Sequence, residues 1–358
     1  MIAAIRSEIG SLVGQWFGGS RARMRPQVIK DRQGSRAQPR DKDSVDGAPC
    51  PRVHADVAMR RFRAHTLDVS LGDLRNEATP SELAELEPAT RVLSDLELQA
   101  KYLPRRPSLL PRLMTAINSD SNSMRDMARI IGEDGTLLGG LLKLSNSAFY
   151  GVRRHKPIES LEKAVALVGT DGLRSLVATA LLHPVMTGTR GPFSSFAEAT
   201  WEHSQYSAAY AEIHAVQIEG ADAFSARLLV LLLGLASNAV FRIAREHCLA
   251  TDNPPPAAMA KLLDDWVPPM ALRIAENWQL PMDLCNVLSA PAEPGLARSL
   301  RFGRLAGALL VLVNRGHMRE LSARAIVLAD DHRRAQVDRL WSRLAIIHLA
   351  AARAKSKR

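Results

Sequence analysis

The stretch from Asp134 to Gly151 constrains the fold most tightly. Leu137, Leu138, Leu141, Leu142 and Leu144 recur at helical spacing and leave one apolar face. Asp134 stands where it can cap the first turn. The run then meets the small polar residues Ser145, Asn146 and Ser147 and the aromatic pair Phe149 and Tyr150. Gly151 can supply the positive φ that ends a helix.

The same pattern of short apolar stripes between caps and breakers continues along the chain. Thr79-Pro80-Ser81-Glu82 reads as a helix start, with proline at the first turn. Ser123 and Asp126 have capping-box-like spacing, and Ser160 and Thr170 cap two more helices. A long helix is predicted from Phe196 to about Ile218 and a second from Phe224 through Ile243. Met259–Trp266 and Pro269–Trp278 read as two separate helices, Leu296–Arg315 as another, and Ala323–Ala352 as a single helix that begins polar and ends basic. No strand-like alternation is present. Hydrophobic residues make up 46% of the 358, enough for a sizeable core, while aromatics are only 5%. An all-α bundle is the expected fold class.

The first 100 residues differ from the rest. Met1 to Phe17 forms an amphipathic pattern suited to packing on protein or lying at a membrane surface. Residues 18–66 are rich in Arg, Asp, Pro, Gly and Ser and are expected to be a disordered basic linker. Residues 67–100 are acidic and partly helical, a lead-in to a domain spanning 101–317. A C-terminal helix and basic tail occupy 318–358. The first residues carry no secretory pattern, since Arg6 and Glu8 interrupt the apolar segment. The longest uncharged apolar run, Leu228 to Phe241, is shorter than the ~20 residues of a membrane span. Cys50, Cys248 and Cys285 form no readable zinc or disulfide pattern, so a reducing, cytoplasmic setting is expected. The net charge of +10 permits non-specific contact with nucleic acid or an anionic membrane, a weak argument taken alone.

The segment Leu-Lys-Leu-Ser-Asn-Ser-Ala-Phe-Tyr-Gly resembles the signature of the HDOD family, bacterial relatives of the HD-domain phosphohydrolases. Tyr102-Leu103-Pro104 and Pro107 resemble its proline-punctuated lead-in. Ile158 to Val165 and Val168 to Arg174 resemble its next two helix starts. The resemblance implies an HD-like helical bundle. Hydrolysis on that scaffold would need histidines and aspartates converging on metal ions that activate water.

Those ligands are missing from the sequence. No His-Asp dipeptide occurs. Gly234 and Leu235 fall at or next to the expected pair, and Ser289-Ala290-Pro291 stands where paired histidines are often found. Gln279 takes the glycine place of the family's Trp-Gly-Leu-Pro turn. His203, in Trp201-Glu202-His203-Ser204, matches the first ligand position. A lone histidine cannot hold a catalytic metal. His214 shares its helix face if that helix is continuous, and Glu219 and Asp222 follow closely. Even so, no metal, no cofactor and no catalytic residue is expected.

No phosphate loop or nucleophile elbow is present, and His247 next to Cys248 cannot form a dyad along one helix. The candidate partner- or ligand-binding residues are Asn146, Phe149, Tyr150, Arg153, Arg154 and His203. The first five sit at a helix end where an acidic patch or a phosphate could bind, although aromatics are more commonly core anchors and the pair is expected first to plug the core. The expected role is a non-enzymatic regulatory module of bacterial signalling that acts through protein–protein contacts. The resemblance adds cyclic di-nucleotide pathway components as possible partners. A divergent nucleotide phosphohydrolase and a basic adaptor for nucleic acid or membrane are the alternatives.

Overall fold

The computed structural model describes residues 51–74, 77–95, 97, 100–112, 115, 123–133, 135–146, 158, 160, 163–164, 172–180, 182–183, 194–249, 254–289, 295–331 and 333–355. In chain order the helices are α1 (Pro51–Leu67), α2 (Pro80–Glu85), α3 (Glu87–Ser94), α4 (Ser123–Gly132), α5 (Gly135–Ser145), α6 (Ser194–His214), α7 (Ala223–His247), α8 (Pro256–Asn277), α9 (Met282–Ser289), α10 (Leu296–Asn314), α11 (Glu320–Asp330) and α12 (Arg334–Lys355). Residues 172–180 are also helical, and no strand occurs among the described residues. The all-α expectation holds.

Local chemistry sets several boundaries. At α2, Thr79 Oγ1 accepts from Glu82 N and Glu82 Oε2 accepts from Thr79 N at 2.7 Å. This is a closed capping box, in which each side chain satisfies a donor that the helix leaves bare. Asp222 Oδ2 accepts from Ser225 N at 2.7 Å and starts α7. Ser160 Oγ accepts from Lys163 N. On α5, Leu137 and Leu141 are buried and Leu138 and Leu142 pack partly against the core. Asp134 lies outside the described residues.

Helix α6 is the shared wall of two cores. On one side Ala208 and Ala211 join the cluster built around α7, α8 and α3–α5. On the other, Tyr210 and Ile218 join Phe302, Leu309, Val337 and Trp341 of α10 and α12. Tyr210 stacks on Trp341 with centroids 5.5 Å apart, worth about 1 kcal/mol beyond the buried area.

The α6–α10 contact is unusually close. A Cβ added at Gly303 would lie 2.6 Å from Ala211 Cβ and from Ser207 O, and one at Gly307 would lie 2.6 Å from Ser207 N. Both positions therefore require the missing side chain. Beyond His214, α6 widens into a π turn, Ala215–Glu219, closed by Gly220 at φ 65°.

Three sequence expectations are corrected. The basic linker of 18–66 is helical from Pro51. Ala58, Phe62, Ala64 and Thr66 of α1 are buried, an apolar face that averaging over an arginine-rich window hides. Met259–Trp266 and Pro269–Trp278 form one helix, α8, running through Pro268 and Pro269. The buried Val267, Met270 and Ala271 on either side offset the hydrogen bonds that the prolines remove. The single helix at Ala323–Ala352 is instead two, α11 and α12, parted at Asp331, whose carboxylate bonds His214 and Arg333 N. The apolar run of Leu228–Phe241 lies within α7; that whole helix is long and apolar enough to cross a membrane, but 78% of its most apolar window is buried inside the bundle.

Candidate functional site

His203 sits midway along α6, beside a cavity that four helices enclose. α6 contributes Phe196, Thr200, His203 and Ser204, and α7 contributes Val230, Leu233, Gly234 and Ser237. α8 adds Val267, α10 adds Arg304, and α1 lies across the opening with Met59, Phe62, Arg63 and Thr66. The enclosed volume is about 40 Å³, room for roughly three waters at ~10–15 Å³ each.

Most of the polar groups around it have a definite partner. His203 Nε2 donates to Arg304 O at 3.0 Å, and its ring lies 4.3 Å from that of Phe62. Burial, with Arg304 and Arg63 nearby, pushes the imidazole down to about 3 despite the carbonyl's opposing effect. His203 is therefore neutral at physiological pH. Ser204 Oγ donates to Thr200 O, Ser237 Oγ to Leu233 O and Thr66 Oγ1 to Arg63 O. Arg63 pairs with Asp264 of α8. Burial, then Arg63, lowers Arg304 from its usual range.

The second histidine of α6 has a different environment. His214 is fully buried. Its Nδ1 lies 3.0 Å from Ser299 Oγ and its Nε2 3.2 Å from Asp331 Oδ2, and its ring stacks on Phe302 at 4.4 Å. Eleven residues separate it from His203, about 16 Å of helix rise, so the two do not converge. Glu219 accepts from Arg298 Nη1 at 3.1 Å and from Gly295 N, and Asp222 caps α7. The helix is continuous, as expected, but its acidic and histidine side chains serve other helices. Among the described residues no three His, Cys, Asp or Glu side chains gather where they could hold a metal.

A family profile for the HDOD domain matches residues 103–294, more than half of the chain. The chain belongs to the HDOD family. An uncharacterised protein of Treponema pallidum (strain Nichols) is 24% identical over 207 residues, covering 56% of this chain; the chain spans only 39% of that protein's length. Among solved structures, an HDOD domain protein of unknown function from Geobacter sulfurreducens is 19% identical, with 73% of this chain and 88% of that one covered at a TM-score of 0.49. A Shewanella amazonensis SB2B protein, provisionally named a metal-dependent phosphohydrolase, is 17% identical, with 74% and 99% covered at a TM-score of 0.49.

In this HDOD chain the residues at the cavity do not fit the metal that the HD name implies. His203 is the lone candidate ligand lining the cavity, and its Nε2 already donates to a carbonyl. Gly234 offers no donor atom. Two guanidinium groups stand where a dication would need carboxylates. The HDOD profile ends before Arg304 and begins after Arg63, so flanking helices supply both cations.

The signature segment has a structural role at its one described candidate. Asn146 Nδ2 donates to Ile158 O at 2.8 Å, and Ile158 N donates to Asn146 Oδ1 at 2.7 Å. The amide thus mimics a backbone partner and ties the end of α5 to Ile158. Phe149, Tyr150, Arg153 and Arg154 lie outside the described residues. Gln279 adopts φ 56°, the left-handed backbone that explains a glycine preference at that turn. Arg106 Nη1 braces it by donating to Gln279 Oε1 at 3.0 Å.

Sequence reasoning missed Phe62, Arg63 and Arg304. The signal for Arg304 was a charge embedded among Gly303, Leu305, Ala306 and Gly307, where an apolar face would otherwise run unbroken. Phe62 and Arg63 carried no comparable signal inside a polar window.

Proposed function

We propose that this HDOD protein is a non-catalytic regulatory module of bacterial signal transduction that acts through contacts with other proteins. One observation carries the reading. The position that supplies metal ligands in HD hydrolases holds Gly234, a neutral His203 bonded to Arg304 O, and two arginines. Water activation needs a metal or a base, and a histidine titrating near 3 is a poor base at neutral pH. A cavity of about 40 Å³ is also far below the ~300 Å³ of ordinary small-molecule sites.

A wider surface groove suits a protein contact. It lies between α2, α3 and α8, encloses about 380 Å³, and is lined by Leu83, Leu86, Leu262 and Trp266, with Lys261 and Asp265 at its edge. Leu83 is exposed there, and the exposed Leu249 is tied to the adjacent Glu85 by a backbone bond.

Metal content per chain, measured on protein purified gently without chelator, tests the reading. The expected result is a folded, helical protein with no stoichiometric metal. About one or two equivalents of iron, manganese or zinc, lost on His203→Ala, would overturn it in favour of a metal-dependent phosphohydrolase. Capture of a specific partner by the wild type, lost on Leu83→Glu, would support the contact surface.

A further inference from the structure

We infer that the place of the HD metal centre has become a binding site for a single phosphate-sized oxyanion, held by Arg304, Arg63 and Thr200. The inference rests on the absence of a metal-binding function at this cavity and assigns what replaced it.

Charge is the first argument. Three ionised groups meet at or beside the cavity: Arg63, Arg304 and Asp264. His203 adds none at neutral pH. Asp264 pairs with Arg63 and is itself largely exposed, leaving one positive charge in excess. Among the described residues the Arg304 guanidinium has no hydrogen-bonded or ion-paired partner. Asp264 also acts on Arg304 but is already paired with Arg63, so an arginine in a partly apolar enclosure has no counter-charge of its own, which is costly. An anion removes that cost.

The donors are the second argument. Thr200 is 5% exposed and lines the cavity. Its hydroxyl has no partner among the described residues, whereas those of Thr66, Ser204 and Ser237 are spent on backbone carbonyls. A free hydroxyl and a free guanidinium both donate, and Arg63 uses one nitrogen on Asp264 and keeps others. The site therefore offers hydrogens and positive charge, the requirements of an oxyanion. It has no carboxylate on its wall to attract a cation.

Volume is the third argument. A space of about 40 Å³ holds roughly three waters, comparable with one tetrahedral oxyanion and too small for a nucleotide. Apolar walls from Phe62, Phe196, Val230 and Val267 keep competing water few and strengthen each charge-assisted bond.

The consequence is a coupling between anion and α1. Arg63 belongs to α1 and Arg304 to α10, so an anion held by both ties the N-terminal helix to the bundle.

Isothermal titration of the full-length protein with inorganic phosphate, at ionic strength balanced with chloride, tests the site. One saturable equivalent is expected. Arg304→Met should weaken binding at least about tenfold, the value of a charge-assisted hydrogen bond, and Thr200→Val about threefold. Arg301→Met, at an exposed arginine one turn away, should leave it unchanged. If Arg304→Met does not fold, Thr200→Val still decides the matter. The inference is overturned if phosphate gives no saturable binding up to about 50 mM, or if Thr200→Val and a folded Arg304→Met bind like wild type. Acetate binding more tightly than phosphate would overturn the tetrahedral assignment, and adenosine monophosphate binding more tightly would overturn the size argument. Elemental analysis of the same preparation separates the two readings. Stoichiometric metal sinks the non-catalytic one, whereas metal-free protein indifferent to phosphate sinks only the anion site.

Discussion

The two histidines of α6 show what happens to polar residues at the middle and at the C-terminal end of one buried helix. At His214 both nitrogens face polar partners, Ser299 and Asp331, and Phe302 covers the ring. At His203 one nitrogen is bonded, one face is covered by Phe62, and the rest of the surroundings is a small cavity with an unpaired arginine. The His214 end has been filled by helices α10–α12 and serves packing. The second has been covered by α1 and still has vacant donors. Polar residues of one buried helix can thus be fully partnered at one place and left beside free donors at another about 16 Å away.

The largest expected effect separates the two histidines directly. His214→Ala strips a fully buried ring and leaves Asp331 and Ser299 without their partner, costing about 3–5 kcal/mol in denaturant unfolding. His203→Gln keeps a donor for Arg304 O and has a cavity beside it to relax into, so it should cost about 1 kcal/mol. Equal costs would erase the distinction between a filled and an open end.

Gly307→Ala probes the contact between the two histidines. Its Cβ would meet Ser207 Oγ first and then the Ser207 backbone N and Cα, which cannot swing away as a side chain can, so a loss of about 3 kcal/mol, the upper part of the overpacking range, is expected by thermal or chemical unfolding.

The pH dependence sharpens the His203 end. Its pKa is lowered in the folded state to about 3, so below pH ~6.5 the unfolded chain binds the proton that the folded chain refuses. Stability is full above that pH and falls as pH drops toward 3, by at most about 1.4 kcal/mol per unit. His65, lowered chiefly by burial with Arg315 and His317 adding to it, acts with the same sign. The slope should flatten in His203→Gln, and an unchanged slope would place the titration elsewhere.

The smallest effect lies outside α6. Gln279→Gly should raise stability by about 0.5–1 kcal/mol by relieving the left-handed backbone, with the exposed Arg106 bond a partial offset. A measured loss would show that the brace outweighs the strain.

Much of this architecture was legible in the sequence because it is local. The capping box at Thr79 and Glu82, the stripe on α5 and the long helices α6 and α7 each depend on residues a few positions apart. The glycine place taken by Gln279 was legible too, through the family's turn. The Arg304 cavity depends on residues from α1 and α10 meeting α6 and α7, more than a hundred positions apart in sequence, and no periodicity announces that. Gly303 and Gly307 read as ordinary helix-weakening residues until the backbone of Ser207 is placed against them. The proline pair in α8 misled because the local cost was visible and the compensating burial was not.

The π turn at Ala215–Glu219 has a consequence for how the chain tolerates change in length. Such a turn threads one more residue through a helical revolution than an α-helix does. Val216 and Gln217 within it are exposed, and Gly220 resets the chain direction before Asp222 opens α7. Deleting Val216 therefore lets the helix tighten to ordinary pitch and absorb the loss within one turn. The same deletion in the middle of α7 would rotate every later side chain by about 100° and scramble the core.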